Sequence, residues 1–297
     1  MRYIHPKKWK NAVLRIPDFI KYWVIPDKLF LKREFYQEHH EKLNLANPRS
    51  IDEKLQWIKL YDRKPIYHTM IDKIACKGFV ADRIGKEYVV PMLGEWSSFE
   101  DIDFSTLPDS FVLKCNHDSG SFVIVPEKDK LDRRSAGYRL NNALKRDYYH
   151  YEHKQWGYKD ITPRIFAEAY LPKDTMEYQV FCNNGEPIFF LVRSDLGERE
   201  DSGYCVCYSI DWGKRSYRND EYPDVIVEKP VNYTKMLSFA RILSNDTLHL
   251  RVDFYETKAG DLYLSELTFY SHGGNFCNFN ESGRKILSDT LHLPINS

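Results

Sequence analysis

The chain has 297 residues, 42% hydrophobic and 15% aromatic, which excludes a disordered or fibrous protein and supplies material for two or three packed units. Its 43 Lys and Arg balance 43 Asp and Glu, so no global field gathers nucleic acid, and none is an expected partner. The six cysteines, Cys76, Cys115, Cys182, Cys205, Cys207 and Cys277, show neither C-x-x-C pairing nor metal spacing and fit free thiols in a reducing, cytosolic compartment.

No run approaches the ~18 apolar residues of a spanning helix, and the basic start lacks an apolar stretch with a cleavage site, so neither secretion nor membrane spanning is expected. Residues 1–70 read as helical, with Trp9, Val13, Ile16, Ile20 and Trp23 at three- and four-residue steps. Residues 1–34 carry nine Lys/Arg against three Asp/Glu, so this stripe either packs on its own domain, the favoured reading, or docks peripherally on an anionic membrane surface. Ser50-Ile51-Asp52-Glu53 is a capping box that opens a helix through Leu55, Trp57, Ile58 and Leu60.

A helix over 72–84, with Asp72 as its N-cap, stops at Gly85 and gives way to strands at 88–91 and 111–115. The polar loop 116–121 leads to a strand at 122–125. A helix from 132 to about 149 follows, with Tyr138, Leu140 and Leu144 as its buried face. Strands at 165–170, 178–182 and 188–192, a helix at 233–243 and a hairpin of 249–255 with 262–269 complete the chain.

The hairpin carries the strongest chemical signal. A four-residue turn, Lys258 to Asp261, sets Asp253 opposite Glu266, Arg251 opposite Thr268, Val252 opposite Leu267 and Leu250 opposite Phe269. The apolar pairs share one face and the polar set the other, so the hydrophobic pattern selects this register. Facing carboxylates repel unless a cation lies between them, and two hard oxygen donors suit magnesium; the alternative is a solvated edge hairpin.

Upstream, Lys114 sits on an apolar strand ahead of Asn116-His117-Asp118-Ser119-Gly120-Ser121. Small residues there free backbone N–H groups for phosphate oxygens, and Lys114 adds a point charge, though any edge hairpin with a lysine looks similar. Lys73 follows a helix cap, where the dipole disfavours a cation unless a phosphate is to be met or the lysine is simply exposed. The strand 165–171 ends at Pro172, so its backbone can act as a hinge on an adenine edge. Glu168 would accept from the exocyclic amine and Glu177 from ribose hydroxyls; the plainer reading is edge glutamates facing water. Arg193 and His272 are candidates for an acceptor pocket. The aromatic stretch 148–158 reads as packing first and as a sugar-stacking surface second.

The order Met70, Asp72, Lys73, then Lys114, Glu168, and Arg251-x-Asp253 followed by Glu266 resembles the ATP-grasp superfamily over most of 70–280. The blocks 47–57, 111–121, 177–185 and 251–269 look closer still to the TupA-like ATP-grasp proteins of teichuronopeptide and capsular polysaccharide biosynthesis. The resemblance implies an α+β fold of two subdomains clamping ATP behind an N-terminal helical extension: 1–70 the extension, 71–168 the lid with the phosphate loop, 169–297 the magnesium and acceptor subdomain. It further implies Lys73 and Lys114 on phosphates with Ser119, Gly120 and Ser121, Glu168 and the backbone near Tyr170 on adenine, and Glu177 on ribose. Asp253 and Glu266 would hold magnesium with Thr268, and Arg251 would neutralise an acyl intermediate.

Two departures stand out: Thr268 where such ligases carry Asn, and Asp118 where relatives favour glycine. The implied activity is an ATP-dependent carboxylate-amine ligase joining an amine to an acidic sugar in the cytoplasm. A phosphotransferase on a sugar hydroxyl, or an inactive ATP-binding scaffold at the inner face of the membrane, are the alternatives.

Overall fold

The computed structural model describes residues 20–194, 203–219 and 225–295. The chain divides between Lys42 and Leu43 into two compact units. In the first, a short turn Ile20–Val24 precedes helix α1, Asp27–His39. It ends where His40 enters the left-handed region at φ 57 and its N–H donates to the Tyr36 carbonyl. Trp9, Val13 and Ile16 of the expected amphipathic stripe lie outside the described residues.

The second unit opens with helices α2 (Ile51–Tyr61), α3 (Ile66–Ile71) and α4 (Ala75–Ile84), then strands β1 (Met92–Trp96), β2 (Phe111–Cys115) and β3 (Phe122–Val125). Helices α5 (Arg133–Leu144) and α6 (Tyr148–Tyr151) lead to β4 (Ile165–Ala169), β5 (Met176–Asn183), β6 (Glu186–Arg193), β7 (Cys205–Ser209) and β8 (Lys214–Arg215). Helix α7 (Tyr233–Ser244), strands β9 (His249–Glu256) and β10 (Leu262–Thr268) and helix α8 (Glu281–Thr290) follow. Strands β1-β4-β2-β3 form one antiparallel sheet and β10-β9-β5-β6-β7-β8 a second.

Each sheet has its own core. Phe99, Phe111, Leu113, Leu140 and Ile165 fill the smaller one, with α5 across it. Val180, Phe190, Val252 and Phe254 alternate inward on the larger sheet, in a core to which α2, α4, α7 and α8 also contribute. Helix α4 gives Cys76, Phe79, Val80 and Ile84 to this larger core, so it packs with the six-stranded sheet although the sequence sets it at the start of the lid.

The capping box forms as the sequence requires: Glu53 N–H donates to Ser50 Oγ, and Ser50 N–H to Glu53 Oε2, both at 3.2 Å. Other boundaries differ for local reasons. Helix α4 begins at Ala75, because Asp72 ends α3 and its Oδ1 accepts from the Ile74 N–H at 2.9 Å. The strand expected at 88–91 falls at 92–96; a short turn, Lys86–Tyr88, comes first, and Pro91 has no N–H for a ladder. The helix expected to reach 149 stops at Leu144, and Asp147 caps α6 separately by accepting from the His150 N–H. Tyr138, expected inside, is 74% exposed, whereas Leu140 is fully buried. Among the described residues no helix is long and apolar enough to cross a membrane.

Candidate functional site

Strand β9 places Val252 and Phe254 in the larger core, so its alternation turns Arg251, Asp253 and Tyr255 to the other face. The register is the one the hydrophobic pattern selects: Asp253 pairs with Glu266, Val252 with Leu267 and Arg251 with Thr268. The turn differs. It spans Thr257 to Asp261, with Thr257 N–H donating to the Asp261 carbonyl, and a bulge at Ser265 absorbs the extra residue before the acids meet.

Arg251 lies between the two carboxylates. Its Nε donates to Asp253 Oδ1 at 2.7 Å, and its Nη2 reaches Asp253 Oδ2 at 2.5 Å, Glu266 Oε1 at 3.0 Å and Thr268 Oγ1 at 3.2 Å. Thr268 in turn donates to Glu266 Oε1 at 3.1 Å. One guanidinium thus serves two acids, of which Asp253 has no exposed side chain while a third of Glu266 remains open. Burial pushes the Asp253 carboxyl up to about 8, even with Arg251 against it. Burial also acts to raise Glu266, but Arg251 and then Lys73 outweigh it and hold that group below the ordinary range. Asp253, Glu266 and Thr268 present hard oxygens of the kind magnesium takes, and once both acids are ionised one formal negative charge is left over after Arg251. Among the described residues no group of three or more His, Cys, Asp or Glu could hold a metal ion.

The small sheet supplies Lys114 and Glu168, and helix α4 supplies Lys77. Lys114 on β2 contacts Glu168 Oε1 on the neighbouring β4, and Lys77 Nζ on α4 donates to Glu168 Oε2 at 3.0 Å. Burial works to raise Glu168, yet Lys114 and Lys77 together leave it below its usual value. Lys73 reaches over the loop 116–121, its Nζ donating to the Asp118 carbonyl oxygen. Asp118 itself is fully buried and accepts from the Ser121 hydroxyl, so its charge is turned into the protein. Gly120 sits at φ +87, a conformation open to glycine, with nothing within 4 Å of where a Cβ would be.

Part of this set lines one cavity of about 420 Å³, a volume suited to a nucleotide-sized ligand. Its walls bring together Lys73, Lys114, Ser119, Gly120, Ser121, Glu168, Tyr170, Glu177, Arg193 and Glu266. Arg251, Asp253 and Thr268 reach it only through Glu266, and His272 is not in its walls. His272 is exposed in the turn Ser271–Gly274, whose Ser271 hydroxyl lies 3.4 Å from Arg251 Nη1. Arg193 stands across the ladder from Glu177, 4.0 Å away, at that end of the cavity.

An adjoining recess shares Lys73, Lys114, Glu168 and Glu266 and adds Lys77, absent from the sequence reading, and Tyr158, read there only as part of the aromatic stretch 148–158. Lys77 was legible as the i+4 partner of Lys73. Tyr158 was not, because only packing of the turn Trp156–Tyr158 beside α3 brings it there.

The model of the TupA-like ATPgrasp family matches residues 53–292. The L-amino acid ligase from Bacillus licheniformis superposes with a TM-score of 0.50 at 12% identity, over 90% of this chain and 62% of that one. This chain therefore spans about three-fifths of the ligase's length. The D-alanine-D-alanine ligase from Helicobacter pylori gives 0.44 at 13% identity, over 77% and 60%. The Bacillus anthracis D-alanine-D-alanine ligase, solved in complex with ATP, gives 0.44 at 16%, over 75% and 65%. At such identities the likeness to the Bacillus licheniformis ligase is one of fold alone. A comparison with curated proteins returns no match. With 240 of its 297 residues inside the family pattern (53–292), this chain belongs to the TupA-like ATP-grasp family.

Proposed function

We propose that this protein is an ATP-dependent carboxylate-amine ligase, joining an amino acid or other small amine to the carboxylate of an acidic sugar in capsular or surface polysaccharide synthesis. One observation carries the reading: Glu266, which shares the single guanidinium of Arg251 with the buried Asp253, lines a nucleotide-sized cavity that Lys73 and Lys114 also line. The sugar half rests on the family's character.

A carboxylate does not react directly with an amine, because oxide is too poor a leaving group. In the proposed sequence a carboxylate oxygen of the sugar takes the γ-phosphoryl of ATP and ADP departs. The amine nitrogen then bonds to the carbonyl carbon, loses a proton, and inorganic phosphate leaves. Asp253, Glu266 and Thr268 would hold magnesium, which would supply charge neutralisation at the phosphates. Lys73 and Lys114 damp charge on the phosphates, assisted by the backbone of Ser119, Gly120 and Ser121. Glu168 has lone pairs left for the adenine amine beside the Tyr170 backbone, and Glu177 takes ribose hydroxyls. Arg251 would meet the negative oxygen of the acyl intermediate, with Arg193 and His272 proposed on the acceptor.

Purified protein with Mg-ATP, uronic-acid donors and a panel of amino acids should release ADP and give an amide adduct detectable by mass. ADP release with a phosphorylated sugar would establish phosphotransfer instead, and neither product would overturn the enzymatic reading.

A further inference from the structure

Lys77, in the first turn of α4, stands four residues after Lys73 and is held at two points. Its Nζ donates to the Val90 carbonyl at 2.8 Å and to Glu168 Oε2 at 3.0 Å, while Lys114 takes Glu168 Oε1. The Glu168 side chain is only 9% exposed, so a carboxylate there requires compensation, but Lys114 alone already provides one positive charge. What Lys77 adds is direction. Val90 is 2% exposed and lies just before β1, so an ammonium tied to its carbonyl is a fixed anchor. That anchor occupies one carboxylate oxygen and leaves the other for Lys114. Lys77 joins α4, which packs in the larger core, to β4 of the smaller sheet.

We propose that Lys77 is a positioning residue of the nucleotide site, acting through Glu168 to aim Lys114 at phosphate and the free lone pairs of Glu168 at the purine amine. This rests on the reading of the cavity as an ATP site. Lys77 need not touch the nucleotide; it fixes the groups that do.

Calorimetric titration of Mg-ATP and Mg-GTP into the full chain tests the role. Lys77→Met is expected to weaken Mg-ATP binding roughly tenfold or more and to narrow the preference for ATP over GTP. Lys77→Arg, which keeps the charge and both acceptors, should stay within about threefold of the original. In a Glu168→Gln background the Met substitution should cost less than about twofold more, because its route is already cut. Should circular dichroism show that Lys77→Met does not fold, Lys77→Gln, uncharged but able to bond Val90, carries the same expectation. Unchanged affinity in the Met or Gln variant, or full additivity with Glu168→Gln, overturns the role. Failure of the unaltered chain to bind Mg-ATP overturns the nucleotide reading itself, a result distinct from the other two.

Discussion

Asp253, the proposed metal ligand, holds its proton far above the usual carboxylate range. Its carboxyl titrates at about 8 in the fold against an ordinary 3.8, so over that window the folded chain keeps a proton that the unfolded chain has lost. The associated stability is complete below the ordinary value and is lost as pH rises toward 8. Magnesium requires the ionised form and expels that proton, so its apparent affinity should climb by up to about tenfold per pH unit between pH 5 and 8 and then level off. Calorimetry in buffers of different ionisation enthalpy will show about one proton released at pH 6 and a pH dependence abolished in Asp253→Asn. Arg251 plays the complementary part. Arg251→Met leaves Asp253 and Glu266 face to face without their cation and should destabilise the metal-free protein by about 3–5 kcal/mol in urea titrations, partly restored by magnesium.

Among the elements, β9 couples the site to the core through alternation, and its first residue carries a separate acid sensitivity. His249 is 1% exposed, its Nδ1–H donates to Asn183 Oδ1 at 2.7 Å, and Nε2 has no partner. Burial, with Arg251 adding to it, lowers the imidazole to about 3 from 6.5. The unfolded chain therefore gains a proton below pH 6.5 that the folded chain refuses, and stability falls by about 1.4 kcal/mol per pH unit toward 3. In His249→Gln the slope of unfolding free energy between pH 6 and 4 should be shallower by one proton, whatever the variant's absolute stability. The same strand explains what was legible in the sequence. Arg251, Val252, Asp253 and Phe254 alternate strictly, so register followed from which face must be dry. The Ser265 bulge left no trace, since a plain four-residue turn and a five-residue turn with a compensating slip satisfy the same pattern at the acids. Strand β1 was misplaced because it follows Pro91 and carries Gly94 at a bulge, where propensity is silent. The cavity's ion pairs were hidden for another reason: Glu168 meets Lys77 only after two separately packed elements come together.

At the scale of the whole molecule, two cores that share no residue must hold one cavity between their sheets. The segment linking α6 to β4 is a strap between them: it leaves the smaller sheet's helices, yet Trp156 and Tyr158 pack on the larger core. His68 Nδ1–H donates to the Gly157 carbonyl at 3.0 Å and fixes the strap beside α3. A Cβ at Gly157 would fall 2.0 Å from Ile71 Cδ1 and 3.4 Å from the Tyr67 carbonyl oxygen. Ile71 is 5% exposed and the carbonyl belongs to a helix, so neither yields freely and the strap must lift. Gly157→Ala should therefore lower stability by about 1–3 kcal/mol. Because Tyr158 shares its recess with Lys73 and Glu266, it should also weaken Mg-ATP. Gly78→Ala, inside α4 with nothing within 4 Å of the new methyl, is the matched control and should gain up to about 1 kcal/mol from helix propensity alone. Thermal melts and Mg-ATP titrations on the two variants separate the effects. If Gly157→Ala melts early but binds as before, the strap serves stability only; if both change together, it transmits the packing of the larger core to the nucleotide.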